Sequence, residues 1–328
     1  FVLFIIFVVF INFKKISEKL NVFDKPNYRK IHTNPISSIG GLIFFYNFVL
    51  FFLFDLIDQN SEIFNFFLTL RSKIIFIIIG FAIFVVGLKD DLKEANPYTK
   101  IFAFLLLLYI YFTSDKTTIS LLRFETFSHI ISLGDLGLIF TVLCVAAFMN
   151  SFNMFDGVNN QSSIFILNFL IYLFLISQDL LFFLSIFIPL AIFGIKNFNN
   201  KVFLGNNGSY FISFLLSVYI IKFYNFYPEK INVELVLCIL SVPILDMIRL
   251  FIVRFKLNQS PFAADRQHIH HLLLKKYGLI KTNFLISINL FFPTIIFYFL
   301  NNSLYSLILS IIIYLILFFI VSNKDMRK

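Results

Sequence analysis

Polar residues interrupt this chain in blocks and do not alternate along it. Long apolar runs such as Phe284–Leu300 and Leu304–Val321 approach the roughly 20 residues that carry a helix through a bilayer. Hydrocarbon offers the backbone no water, so each segment must satisfy its own N–H and C=O groups, and helices do that. A membrane β-barrel would alternate over about ten residues per strand, and these runs do not. Dividing the apolar runs at their polar breaks predicts eleven helices, near 1–13, 42–57, 73–88, 101–113, 136–149, 162–177, 180–195, 209–224, 233–248, 284–300 and 304–321. Only Ser177, Gln178 and Asp179 separate the 162–177 and 180–195 helices. No internal repeat or matched pair of broken helices is visible, which argues against a repeat-built transporter. The expectation is a single polytopic domain over residues 1–328, an all-α integral membrane protein of about eleven transmembrane helices. Because the chain opens in mid-helix at Phe1, without the basic start of a signal peptide, a truncated N-terminus is expected.

Composition agrees with that pattern. Hydrophobic residues make up 59% of the chain and charged residues 14%, against about a quarter charged in a soluble domain. The 50 Phe are lipid-facing or packing residues. Cys144 and Cys238 sit inside apolar runs with no metal spacing and no disulfide framework.

Charge orients the chain. Counting loops alternately, the segments 14–41, 89–100, 150–161, 196–208, 249–283 and 322–328 hold 21 of the 27 Lys and Arg, and the other segments hold 6. Acidic residues show no matching bias, and topology follows Lys and Arg. The basic set is therefore expected to face the cytoplasm of a bacterial inner membrane, with the C-terminus inside. The net charge of +9 then needs no nucleic-acid partner, because the excess lies where anionic headgroups and phosphorylated substrates would be met.

Five of these loops carry candidate chemistry. Around Asp24-Lys25-Pro26-Asn27-Tyr28-Arg29-Lys30-Ile31-His32, the residues Arg29, Lys30 and His32 suit phosphate oxygens, and Gly40-Gly41 opens a helix whose N–H groups could meet an anion. A basic anchor on lipid headgroups fits the same segment equally well. The adjacent carboxylates Asp90 and Asp91 suit a divalent metal or a phosphate-bearing substrate; a solvated helix terminus is the plainer alternative. Asn150, Asn153 and Asp156, spaced by three, fall on one helix face that could hold a metal or a nucleotide, or serve as interhelical glue. Gly205-Asn206-Asn207-Gly208-Ser209 reads first as a plain N-capped turn and second as an anion site. Lastly, Asp246, Arg249, Arg254, Ser260, Asp265, His268, His270 and His271 form the densest cluster. His-Glu-x-x-His spacing is absent, so pyrophosphate binding is favoured over zinc.

Together these motifs resemble the polyprenyl-phosphate N-acetylhexosamine-1-phosphate transferases, in order and over nearly the whole chain. The matching segments are Arg-Lys-x-His with Gly-Gly at 29–41, Asp-Asp at 90–91, Asn-x-x-Asn-x-x-Asp-Gly at 150–157 and Ser-Pro-Phe-x-x-Asp-x-x-His-x-His-His at 260–271. The last is the most specific. Its His-x-His-His form resembles the branch that begins O-antigen, enterobacterial common antigen or teichoic-acid linkage synthesis.

The resemblance implies an Mg2+-dependent enzyme (with Mn2+ an alternative). It would pass HexNAc-1-phosphate from a UDP-sugar such as UDP-N-acetylglucosamine to undecaprenyl phosphate, releasing UMP. That would be the first membrane step of a cell-surface polysaccharide, made at a cytoplasmic-face site, with a homodimer among the expected assemblies. The implied catalytic groups are Asp90, Asp91, Asp156, His268, His270 and His271. The substrate would meet Arg29, Lys30, His32, Asn150, Asn159, Arg249, Arg254, Ser260 and Asp265, and the metal would meet Asn153 and Asn206.

Two positions depart from the family pattern. Asn206 stands where the family has a metal-ligating Asp, and an amide gives Mg2+ an oxygen but no charge. Asn159-Asn160-Gln161 replaces an acid or amide followed by Gly-Leu. These departures motivate a rival reading, a degenerate homologue that binds lipid phosphate or scaffolds glycan assembly.

Overall fold

The computed structural model describes residues 13–24, 33–57, 69–125, 129–262 and 265–325. Within them the chain forms α1 (Phe13–Leu20), α2 (Gly40–Ile57), α3 (Leu70–Leu92), α4 (Pro97–Asp115), α5 (Gly137–Phe155), α6 (Gln161–Ser177), α7 (Leu180–Phe198), α8 (Gly205–Phe226), α9 (Val233–Lys256), α10 (Ile269–Leu300) and α11 (Ser303–Asp325). Helices α2 to α11 coincide with the last ten predicted from the apolar runs. The first, near 1–13, lies outside the described residues. Seven of the helices, α3, α4, α5, α8, α9, α10 and α11, have the length and apolarity to cross a bilayer; α2, α6 and α7 carry shorter apolar stretches.

The helices overrun their apolar cores chiefly at one end of the bundle. The apolar run near 136–149 becomes a helix that continues to Phe155, and that near 233–248 continues to Lys256. A helix needs apolar side chains only while it is in hydrocarbon; beyond it, polar residues with reasonable propensity keep the ladder going. Asn150 and Asn153, beyond the last apolar residue of their run, therefore ride on rigid helical turns, as their spacing by three suggests.

Two small sheets fall in predicted loops. Strands β1 (Phe23–Asp24) and β2 (Ile36–Ser37) pair antiparallel, and Ser37 also bridges in parallel to Val202. Strands β3 (Leu121–Phe124) and β4 (His129–Ser132) form a hairpin at the other end of the bundle. Leu, Phe and Ile supply its β-propensity. There the Arg123 guanidinium donates to the Tyr224 carbonyl at 2.9 Å, and the Tyr224 hydroxyl donates to the Leu121 carbonyl at 3.0 Å.

Helix α8 is the pillar of the fold. Of its apolar window 89% is buried, enclosed by α2, α3 and α5. Close approach needs small residues: a Cβ on Gly41 would stand 2.2 Å from the Gly208 Cα. Deeper in, Phe76 stacks on Phe214 with centroids 5.3 Å apart, and Phe45 meets Phe211 edge-on at 5.1 Å. Such pairs add about 0.5–1.5 kcal/mol beyond area burial, which puts the abundant Phe to use between helices.

The sequence suggests almost no ionisable groups within the bundle, yet Lys222 of α8 meets Asp115 of α4 at 2.7 Å, both buried. Tyr111, Thr117 and Ser72 also donate to this carboxylate. The pair lies at the hairpin end, far along α8 from Gly205.

Candidate functional site

At the opposite end the polar segments enclose a cavity of about 730 Å³. Its walls come from the ends of α3, α5, α7, α8 and α10 together with the segments flanking β1 and β2. Six residues singled out in the sequence line it: Asp91, Asn153, Asp156, Asn159, Asn206 and His271.

The Asp90-Asp91 pair divides. Successive residues point about 100° apart around a helix, and the two carboxylates take opposite directions. Asp90 is buried and turns toward α4, accepting the Ala95 N–H at 2.8 Å and pairing with Lys100 at 2.7 Å. There it is the counter-ion of Lys100 inside the α3–α4 corner and does not line the cavity. Asp91 turns toward α8. Its Oδ1 accepts the Asn206 N–H at 2.8 Å and its Oδ2 the Asn207 N–H at 2.9 Å.

That geometry changes the reading of both glycine turns. The amino end of α8 does attract an anion, as the helix dipole favours, but the anion is the protein's own Asp91. Gly205 makes the turn with φ +75°, and a Cβ there would stand 2.3 Å from the Ser38 carbonyl oxygen. At Gly40 and Gly41 the N–H groups are not free for an anion; they donate to the carbonyls of Phe203 and Leu204, each at 2.9 Å. The Gly-Gly pair thus seats α2 against the loop entering α8.

A chain of amides follows. Asn153 Nδ2 donates to Asn206 Oδ1 at 2.7 Å and to Ser209 Oγ at 2.8 Å, while the Tyr210 hydroxyl donates to Asn153 Oδ1 at 3.0 Å. Tyr210 therefore fixes which face of the Asn153 amide looks at α8. Asp156 ends α5 and opens onto the cavity with part of its surface. Burial pushes its carboxyl up to about 7, reinforced by the charge of Asp91.

The fifth cluster separates into a support and one half-buried base, His271, that reaches the cavity. Asp246 is buried, and its Oδ1 accepts from Arg249 at 2.7 Å, from the Tyr314 hydroxyl at 3.0 Å and from the Ile269 N–H at 3.1 Å. Its Oδ2 lies 2.8 Å from His268 Nδ1. Arg254 is buried against Asp265 and the Pro261 carbonyl, so it ties both of these residues to the end of α9. Ser260 is exposed and receives the Phe262 N–H. Asn150 faces the sulfurs of Met154 and Met247. Thus Asn150, Arg249, Arg254, Ser260, Asp265, His268 and His270 stand behind or beside the cavity, not on its wall. Arg29, Lys30 and His32 lie outside the described residues, although Asp24 and Thr33, which flank them, both line it.

Four lining residues were missed as candidates: Asp24, Asn34, Asn197 and Asn200. Asp24 was visible in its motif. Asn197 had only its place after an apolar run; its Oδ1 accepts the Asn160 N–H, and its Nδ2 donates to the Val202 carbonyl at 2.8 Å.

Three carboxylates, Asp24, Asp91 and Asp156, face the cavity, and His271 is the one basic side chain among the described lining residues. Such a wall repels a polyanion until a cation is added. Mg2+ takes one or two carboxylates and keeps several waters. Asp156, Asp91 and the second lone pair of Asn206 Oδ1 meet that demand, so the donor set fits a hard divalent ion. Asn153, with its Oδ1 engaged by Tyr210, fits better as a hydrogen-bond donor than as a ligand.

Residues 73–224 match the model of the family described as Glycosyl transferase family 4. The chain is 28% identical over 278 residues to the undecaprenyl-phosphate alpha-N-acetylglucosaminyl 1-phosphate transferase of Yersinia pestis, covering 80% of this chain and 72% of that protein. The protein of the same name from Pasteurella multocida (strain Pm70) is 27% identical over 291 residues, 82% of this chain and 76% of its own. That of Escherichia coli (strain K12) is 26% identical over 273 residues, 80% and 71% respectively.

Proposed function

This chain belongs to glycosyl transferase family 4, and from that premise we propose that it transfers HexNAc-1-phosphate from a UDP-sugar to undecaprenyl phosphate. An oxygen of the lipid phosphate attacks the β-phosphorus of the nucleotide sugar. The bond from that phosphorus to the bridging oxygen breaks, and UMP leaves with the electron pair. No general base is needed, because the attacking phosphate is already ionised near neutral pH.

The observation that carries this reading is the cavity wall itself: Asp91, Asp156 and Asn206 converge at the end of membrane helices. A lipid phosphate can reach that level while its tail stays in hydrocarbon, and the nucleotide sugar arrives from water. Bound Mg2+ would neutralise charge between the two anions. Asp156 and Asp91 hold it, Asn206 adds an uncharged oxygen, and Asn153 presents N–H groups toward Asn206. His271 faces the same cavity as a donor to a phosphate or sugar oxygen. The amides Asn159, Asn197 and Asn200 suit neutral hydroxyl, acetamido or base groups.

The cavity end is taken as cytoplasmic because the Lys and Arg excess lies in the segments that converge there. The product would be a lipid-linked sugar pyrophosphate that begins a surface polysaccharide. The test is direct: purified chain, undecaprenyl phosphate, Mg2+ and a panel of UDP-sugars, with UMP release followed. Product with at least one sugar supports the reading, and no UMP with any sugar overturns it.

Asn206 motivates a second reading, in which the chain binds lipid phosphate without turnover. It predicts undecaprenyl phosphate binding with no UMP release, so the same assay with a lipid-binding arm separates the two.

A further inference from the structure

The β3–β4 hairpin, at the end opposite the cavity, has a surface that contact with water does not explain. Strand β4 reads His129-Ile130-Ile131-Ser132, and all four residues are exposed. Successive residues of a strand point to opposite faces. Ile130, 63% exposed, and Ile131, 49% exposed, therefore put an apolar side chain on each face. That is the pattern of a strand covered on both sides, yet the protein covers neither. Arg123 is the one charged residue of the two strands, and it is turned inward. Its N–H donates to the Tyr224 hydroxyl at 2.7 Å, and its guanidinium lies 5.0 Å from the Tyr224 ring. Glu125, just past β3, is drawn in as well: it accepts the Ser303 N–H at 2.9 Å and the Asn232 side-chain amide at 3.1 Å. The exposed strand is left without charge. In water such an edge is an aggregation site, which proteins blunt with Lys, Pro or a cover.

Two observations say what covers it. Glu125 ties the hairpin to Ser303, where α11 begins. Close to that junction Tyr298 and Tyr305 are both exposed, and Tyr gathers where a membrane meets water. The base of the hairpin thus sits at headgroup level. Beyond the hairpin, Leu136, Ile139 and Leu143 are exposed along one face of a membrane span, spaced by three and four. Exposure within a span means contact with lipid. Strand β4 ends at Ser132 and α5 begins at Gly137, so Ile130 and Ile131 prolong a face that lipid already covers.

We propose that the β3–β4 hairpin is an interfacial anchor, with β4 lying in the glycerophospholipid headgroup–acyl boundary of the leaflet opposite the cavity. Ile130 and Ile131 enter the upper acyl region. Strand β4 pairs with β3 alone, and its other edge bonds to headgroups and interfacial water. The chain has no Trp, a residue enriched at this boundary, and the hairpin fills that role. Its hold reaches the cavity through α8. Tyr224 fastens β3 to one end of that helix, and the Asn206 turn lies at the other. A helix of that length measures about 33 Å at 1.5 Å per residue. Anchoring the hairpin in one leaflet therefore sets the depth of the cavity end in the other.

The absence of Trp makes the test clean. Ile130→Trp gives the full chain a single indole, read by fluorescence after reconstitution into phospholipid vesicles. The emission is expected to be blue-shifted, to lose most of its intensity in vesicles of lipid brominated near the headgroup, and to lose little to iodide present on both sides. Leu143→Trp, deeper on the lipid-facing side of α5, is the reference, quenched best by lipid brominated near the chain terminus. Ile131→Trp probes the other face of the strand and carries the test if Ile130→Trp does not fold; the same result is expected. Red-shifted emission quenched by iodide and not by brominated lipid overturns the proposal, because the hairpin then stands in water. Protection from both quenchers overturns it too, because a second copy of the chain then covers the strand. The readout involves no UMP release, so failure of the transfer reading leaves this one standing, and the reverse.

Discussion

The carboxylate of Asp91 closes the amino end of α8 by accepting the N–H groups of Asn206 and Asn207 on its two oxygens, at 2.8 and 2.9 Å. One side chain thereby locks the end of α3 to the start of the buried pillar. Asp91→Asn presents one oxygen where two are used. It is expected to cost about 1.5–3 kcal/mol, the value of charge-assisted hydrogen bonds, and to abolish UMP release. Thermal unfolding in detergent and the transfer assay check this together; a fully active variant would remove Asp91 from the site.

Asn206→Asp adds a charge beside the proposed cation. The Mg2+ concentration for half-maximal transfer should fall by about tenfold, equivalent to ~1.4 kcal/mol. A Mg2+ titration of activity checks it, and an unchanged curve would place the metal elsewhere.

Asp156 makes both stability and metal binding depend on pH. Its carboxyl is pushed from 3.8 up to about 7. Between those values the folded protein holds a proton that the unfolded chain has released. The fold therefore loses stability from this group as pH rises through that window. Asp156→Asn should remove that slope. Binding Mg2+ needs the ionised form, so Mg2+ affinity should rise from pH 6 to 8 in the wild type and rise less in Asp156→Asn, where only Asp91, which burial pushes up to about 6, still titrates; calorimetric titration at several pH values reads this.

Gly157 leaves room for two imidazoles. A Cβ there would stand 2.4 Å from His270 Nε2 and 3.1 Å from His271 Nε2. Gly157→Ala is expected to displace both rings and destabilise the fold by about 1–3 kcal/mol. The KM for the nucleotide sugar should rise as His271 leaves the cavity wall, which initial-rate kinetics would show.

Lys222→Met tests the far end. It leaves Asp115 buried without its ion pair, a loss of about 3–5 kcal/mol. The melting temperature should drop while kcat per folded molecule stays constant, because neither residue approaches the cavity.

The helices were legible because hydrocarbon demands apolar runs, and α2 to α11 follow those runs closely. Their ends were not legible in the apolar runs, since a helix outside hydrocarbon needs no apolar signature; past residue 149 only the spacing by three of Asn150, Asn153 and Asp156 points to the helical turn that carries the first two. The cavity was legible as a set of motifs but not as a set of directions. Asp90 and Asp91 are neighbours in sequence, yet only Asp91 reaches the cavity. His271 lines the cavity while His268 and His270 lie behind it. Asn197 gave no motif at all, and its place became visible only when α7 and α6 met. The β3–β4 hairpin escaped because its strands are too short to register beside helical runs.

Helix α10 runs for 32 residues, Ile269–Leu300, and breaks at Gly278, whose φ is 76° and which has nothing within 4 Å of its Cβ position. An unbroken helix of that length would measure about 48 Å at 1.5 Å per residue, well beyond the hydrocarbon thickness. The break uncouples the histidine-bearing stub from the span that follows it. The span is free to tilt in a thicker or thinner bilayer while the stub stays with α9, so lipid composition can alter the anchoring of this protein without moving its chemistry.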